Sequence, residues 1–190
     1  MDLPWPLPSR PDLRDGLVSA YSTGRGYHDL RHLAEVLARI AELGEGRNTE
    51  VLLAAWYHDA VYDGSGDDEE RSAQLASREL ALVDVDAAEV ARLVRLTETH
   101  RPEPGDRNGA VLCDADLAIL AAPPGRYAEY VADVREEYAE VPAADFRAGR
   151  LAVLEALAAK DPLFHTPHAQ QAWEEAAREN LAREIADLSG

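Results

Sequence analysis

The chain has 190 residues, 46% of them hydrophobic, and a formal net charge of -17. That is enough apolar material for one core of ordinary domain size, while so acidic a surface repels phosphate backbones and anionic bilayers, which argues against nucleic-acid and membrane partners. The lone cysteine, Cys113, excludes an internal disulfide, and the longest apolar run, Val51 to Tyr57, falls far short of the roughly 20 residues of a membrane helix.

Residues 1–11 hold four of the 11 prolines and read as an extended arm that hugs the core or frays. Met1 to Pro6 shows no basic n-region and no apolar h-region, so no export signal is expected and a cytoplasmic location is. From residue 12 onward the periodicity is helical and strand alternation is never sustained. A first helix covers about 12–21 and stops at Thr23-Gly24-Arg25-Gly26. A second spans about 29–43, with Asp29 as N-cap, a stripe of Leu33, Val36, Leu37 and Ile40, and Gly44 as its stop. Asn48 caps a third that continues to about Val61, and Tyr62 to Gly66 form a turn. Asp67 or Asp68 opens a fourth, ending near Leu80. The fifth covers about 87–99 and is broken by Arg101 to Gly105. The sixth, about 109–121, is apolar on nearly every side, the pattern of a buried central helix. The remaining helices run over about 127–138, 143–160 and 168–188, with Pro142, Pro162 and Pro167 at the junctions. The expectation is an all-α chain: a single-domain, compact bundle of about eight or nine helices over residues 12–190, preceded by the 1–11 arm.

Four ionisable residues interrupt stretches that should be apolar. His32 lies on the buried stripe of the second helix. His58 and Asp59 follow directly on Val51 to Tyr57, and Asp116 has Leu112, Cys113, Ile119 and Leu120 at helical spacing. A buried carboxylate needs a cation, a metal or strong donors. Singly, each has an ordinary reading: a hydrogen-bonded core histidine, a cap, a carboxylate paired with arginine. Together, two imidazoles and two carboxylates from three helices form a mixed N/O set suited to a divalent cation.

The order His32, His58-Asp59, Asp116 resembles the HD-domain superfamily of metal-dependent phosphohydrolases. The likeness to one bacterial subgroup extends to Tyr27 to His32, Trp56 to Asp63, Glu69 to Ala73, Asp114 to Leu117, Gly149-Arg150 and Ala177 to Leu181, so that it spans about residues 25–185. The resemblance implies that His32, His58, Asp59 and Asp116 ligate a metal drawn from manganese, cobalt, nickel, iron, zinc or magnesium, with manganese or a similar borderline ion preferred. The ion would lower the pKa of a bound water and polarise a phosphoryl oxygen of a small phosphorylated substrate, a nucleotide among the candidates. Glu69 or Asp63 would position water or move a proton, although Asp67 to Glu70 equally form an acidic first turn that suits the helix dipole. His28, four residues before His32, reads as an extra ligand, a partner to a ligand, a phosphate donor or a plain polar turn residue. His100 reads as a pocket histidine near the metal that contacts the substrate phosphate. Arg25 and Arg150 are the candidates for bidentate contact with phosphate, with a surface or structural ion pair as the alternative for each.

Two other functions fit the same residues. A di-iron HD-type oxygenase would recruit His28 and His100 as further ligands, and a non-catalytic module would use the metal or a bound nucleotide as structure or signal. The substrate, the choice between monoester and diester, the number of ions and homo-oligomer formation stay open at this level.

Overall fold

Local capping decides where the helices begin. Asp29 accepts from the backbone N–H groups of Arg31 and His32 and starts α2, Leu30–Glu42. Asn48 accepts from Val51 N–H and starts α3, Thr49–Tyr57. Proline at the first position opens α1, Pro11–Tyr21. In this computed structural model, which describes residues 3–64 and 66–190, the chain continues through α4 (Asp68–Leu80), α5 (Ala87–Leu96) and α6 (Arg107–Leu117). A 3-10 turn over Ala118–Ala121 comes next, then α7 (Pro124–Glu137), α8 (Ala143–Ala158), α9 (Pro167–Ala172) and α10 (Glu174–Ser189). The described residues contain no strand, and none of their helices is long and apolar enough to cross a membrane.

The all-helical reading of the sequence therefore holds, while the helix count among the described residues rises to ten. The expected last helix divides at Trp173, whose φ of -119° departs from helical values as its ring seats edge-on against Phe164 and His168. The expected sixth helix tightens into the 3-10 turn after Leu117. The third stops at Tyr57, four residues earlier than its pattern reads, and leaves His58 and Asp59 in a turn.

The chain forms two compact units, Met1–Asp116 and Leu117–Gly190. In the first, α3 is buried on every side: all seven residues from Val51 to Tyr57 are inaccessible or nearly so, and α2, α4 and α5 pack around it. Each such aliphatic side chain contributes about 1.5–3 kcal/mol of hydrophobic free energy. The described part of the proline-rich arm lies on this core, with Trp5 edge-on to Trp56 at 5.1 Å and the Trp56 indole donating to the Pro4 carbonyl at 2.9 Å. Helix α3 thus ends as a rigid post, and the turn beyond Tyr57 inherits its position.

The second unit is organised on α10, which packs against the 3-10 turn, α8 and α9. The Asn180 amide donates to the carbonyls of Leu120 and Ala122, at 2.8 and 2.9 Å, and ties α10 to the turn below it.

Candidate metal centre

The end of α3 fixes the first imidazole. His58 is the C-cap of the helix, and its Nδ1 lies 2.7 Å from the Ala55 carbonyl in the last turn. A carbonyl only accepts, so Nδ1 carries the hydrogen and satisfies one of the orphan oxygens of the helix end. Nε2 is then the atom whose occupant can change. It points away from the helix, 3.0 Å from Nε2 of His32. His32 is held from the other side by α2, whose first turn Asp29 caps through His32 N–H itself.

Two carboxylates close the ring around this pair. Asp59 Oδ2 lies 3.0 Å from His58 Nε2 and 3.4 Å from His32 Nε2. Asp116 Oδ1, from α6, lies 3.2 Å from His32 Nε2 and 3.5 Å from His58 Nε2. Ligand atoms about 2.1 Å from a common ion sit roughly 3.0 Å apart at a right angle and roughly 3.4 Å apart at a tetrahedral angle. The observed separations, 3.0 to 3.5 Å, lie within or just beyond that span. His32, His58 and Asp59 alone place their ligand atoms within 4.8 Å of one another, and this group could hold a metal ion. Asp59 Oδ2 is buried and makes no well-formed hydrogen bond among the described residues, although His58 Nε2 lies 3.0 Å away. An ionised oxygen left this way is costly, and a cation among these four groups would satisfy it.

The electrostatics lean the same way. Burial works against a charged His58, yet Asp59, Tyr21 and Asp116 around it carry its pKa well above the ordinary histidine value. His32 rises as well: burial opposes the charge, and the nearby Asp116 and Asp59 carboxylates outweigh it. Burial pushes the Asp59 and Asp116 carboxyls up, but neighbouring histidines, His58 foremost, hold both far below the usual carboxylate range. The four groups favour positive charge at their centre.

Several neighbours complete the surroundings. His100 Nε2 lies 2.8 Å from the other Asp116 oxygen, Oδ2. The His28 ring stacks on Tyr62 at 4.1 Å and stands edge-on to His32 at 5.6 Å. Arg25 donates through Nη1 to the carbonyls of His28 and Asp59, at 3.0 and 2.7 Å, and through Nη2 to that of Ala60 at 3.3 Å. Its guanidinium also faces the Tyr21 and Tyr62 rings. Glu69 is half-buried, and its burial together with the charge of Asp59 lifts its pKa. Asp63, by contrast, is exposed and accepts from Arg71 at 2.8 Å. Arg150 belongs to the second unit, where it pairs with buried Glu184 at 2.7 Å and lies over the Tyr130 ring, while Tyr127 donates to the same carboxylate.

Tyr21 was not legible as part of the site. At the end of α1 it reads as a core aromatic, yet its hydroxyl accepts from the Asp59 backbone N–H at 3.2 Å and so helps to fix the turn that carries Asp59. Nothing in the sequence separates this tyrosine from the other buried ones. Comparison with family models, curated proteins and solved structures yields no match to this chain.

Proposed function

We propose that this chain is a metal-dependent phosphohydrolase of the HD-domain type, acting on a phosphate ester in a small molecule. His32, His58, Asp59 and Asp116 are the residues that would hold the ion. The observation that carries the reading is the convergence of two imidazole Nε2 atoms and two carboxylates on one point, with Asp59 Oδ2 unsatisfied there. When bound, a divalent cation supplies Lewis acidity and a water acidic enough to be nucleophilic near neutral pH.

The remaining roles belong to the chain. The Ala55 carbonyl keeps the His58 hydrogen on Nδ1, which leaves Nε2 free to serve the centre. Arg25 joins the segment before α2 to the turn after α3, and so holds the histidine and aspartate ligands at a fixed separation. Glu69, with its raised pKa, is the better placed of the two acidic candidates to accept and return a proton. The stacked His28 and Tyr62 rings form a wall beside His32, and His28 can donate to a phosphate oxygen.

The test is metal content and turnover on one preparation. Protein purified without chelator should carry about one divalent ion per chain and hydrolyse at least one member of a panel of phosphorylated metabolites supplemented with Mn2+. Asp59→Ala, and His58→Ala combined with Asp116→Ala, should lose both the ion and the activity. Full metal content in these variants would overturn the ligand assignment. Full activity after metal is stripped from the wild type would overturn the mechanism. Oxygen-dependent turnover with two irons per chain would replace it with the di-iron reading, and metal or nucleotide binding without turnover would replace it with the binding module.

A further inference from the structure

Most of the positive-φ positions among the described residues are glycines: Gly24, Gly44, Gly64, Gly66 and Gly105. His100, at φ 49°, is the non-glycine exception. It sits beyond the end of α5, where its N–H donates to the Leu96 carbonyl at 2.9 Å and closes the helix terminus. Helices ending in this left-handed conformation normally place glycine or asparagine there, since a β-carbon is crowded by its own backbone. Chain geometry alone therefore favours glycine or asparagine at this position. A histidine held in such a conformation calls for an explanation in its side chain.

The ring provides one. His100 Nε2 reaches Asp116 Oδ2 at 2.8 Å, while the second oxygen of the same carboxylate, Oδ1, faces His32 and His58 at 3.2 and 3.5 Å. A carboxylate rotates about its terminal torsion with little preference. Pinning one oxygen fixes where the other points. The partner of His100 Nε2 is a carboxylate oxygen, and an ionised carboxylate only accepts, so Nε2 is the nitrogen that bears hydrogen. A ring that donates through Nε2 cannot coordinate through it.

We infer that His100 is a positioning residue: held in a left-handed helix end, it donates through Nε2 to Asp116 and aims the free carboxylate oxygen at the ion held by His32, His58 and Asp59. The inference rests on the metal-binding reading above. Supporting donors of this kind typically change metal affinity 10–100-fold.

The experiment uses Zn2+ as the probe on the full chain, by calorimetric titration, with circular dichroism to verify folding. His100→Ala is expected to weaken Zn2+ binding about 10–100-fold. His100→Gln, whose side-chain amide can take the place of the Nε2–H donor, is expected to recover most of that loss. In the Zn2+-loaded wild type, imidazole 15N shifts should report hydrogen on Nε2 of His100. Unchanged affinity in His100→Ala would overturn the inference, and so would a loaded His100 ring with its hydrogen on Nδ1, the form that ligates through Nε2. A second Zn2+ per chain that disappears in both variants would also overturn it, since His100 would then be a ligand. Should His100→Ala fail to fold, the Gln variant and the wild-type shifts still decide. A wild type that binds no Zn2+ removes the underlying metal reading itself, a failure distinct from the others because it appears before any substitution.

Discussion

Arg25 spends its guanidinium on three main-chain oxygens, those of His28, Asp59 and Ala60, and places the group beside two aromatic rings. Hydrogen bonds that involve a charged group contribute about 1.5–3 kcal/mol each in favourable cases. Removing this one leaves the turn at Asp59 with two carbonyls to resolvate. Arg25→Ala is therefore expected to destabilise the chain by roughly 2–3 kcal/mol, read from denaturant unfolding. Arg25→Lys should recover little, because a single ammonium cannot reproduce a planar fork that spans two segments. The clamp also separates two roles the sequence left open for this arginine. If Arg25 chiefly bound phosphate, both variants would unfold like the wild type and differ only in inhibition by inorganic phosphate.

At the scale of elements, α6 is where a small change should reach the site. Gly109 lies in its first turns, and a β-carbon there would come within 2.3 Å of Asp106 Oδ2 and 2.6 Å of Leu96 Cδ2. Asp106 accepts from the Gly109 N–H at 2.9 Å and also binds Arg92, so it cannot withdraw without losing both contacts. Gly109→Ala should cost about 1–3 kcal/mol and shift the helix that carries Asp116, measurable as a lower unfolding midpoint together with weaker Zn2+ binding. A variant as stable as the wild type would show that α6 accommodates the methyl by sliding. The helices themselves were largely readable, because Asp29, Asn48 and the apolar stripe of α2 act through local capping and periodicity. The meeting of His32, His58, Asp59 and Asp116 was readable for a related reason: each is a polar group placed where burial demands a partner. The stop at Tyr57 was not: it coincides with the His58 ring turning back to Ala55 O, a choice among rotamers that no periodicity records. Nor was the service of Arg25 to backbone carbonyls, because main-chain oxygens carry no residue signature.

Across the whole molecule, the net charge of -17 makes pH act in two opposing directions, and a single residue can separate them. Protonating carboxylates relieves the mutual repulsion of an acidic chain, which favours the folded state as pH falls. Carboxylates held by donors in the folded state act the other way. Arg95 and Gln74 bring Glu70 down to about 2. Glu174 is also lowered: burial opposes the shift, but the backbone N–H groups of Leu163 and Phe164 and the Arg178 guanidinium outweigh it. For Glu174 the folded pKa lies below the ordinary value of 4.5. Below that value the unfolded chain takes up a proton that the folded chain refuses, so the stabilisation is fully present above pH 4.5 and is lost as pH falls through the folded pKa. Glu174→Gln removes the titration while keeping one acceptor oxygen. The variant should be less stable than the wild type at pH 7, and the gap should narrow steadily below pH 4.5, in chemical denaturation at fixed ionic strength. Taking the difference between the two proteins cancels the repulsion common to both. A gap that stays constant from neutral pH to below 4.5 would mean that the Glu174 carboxylate contributes through shape alone and not through its charge.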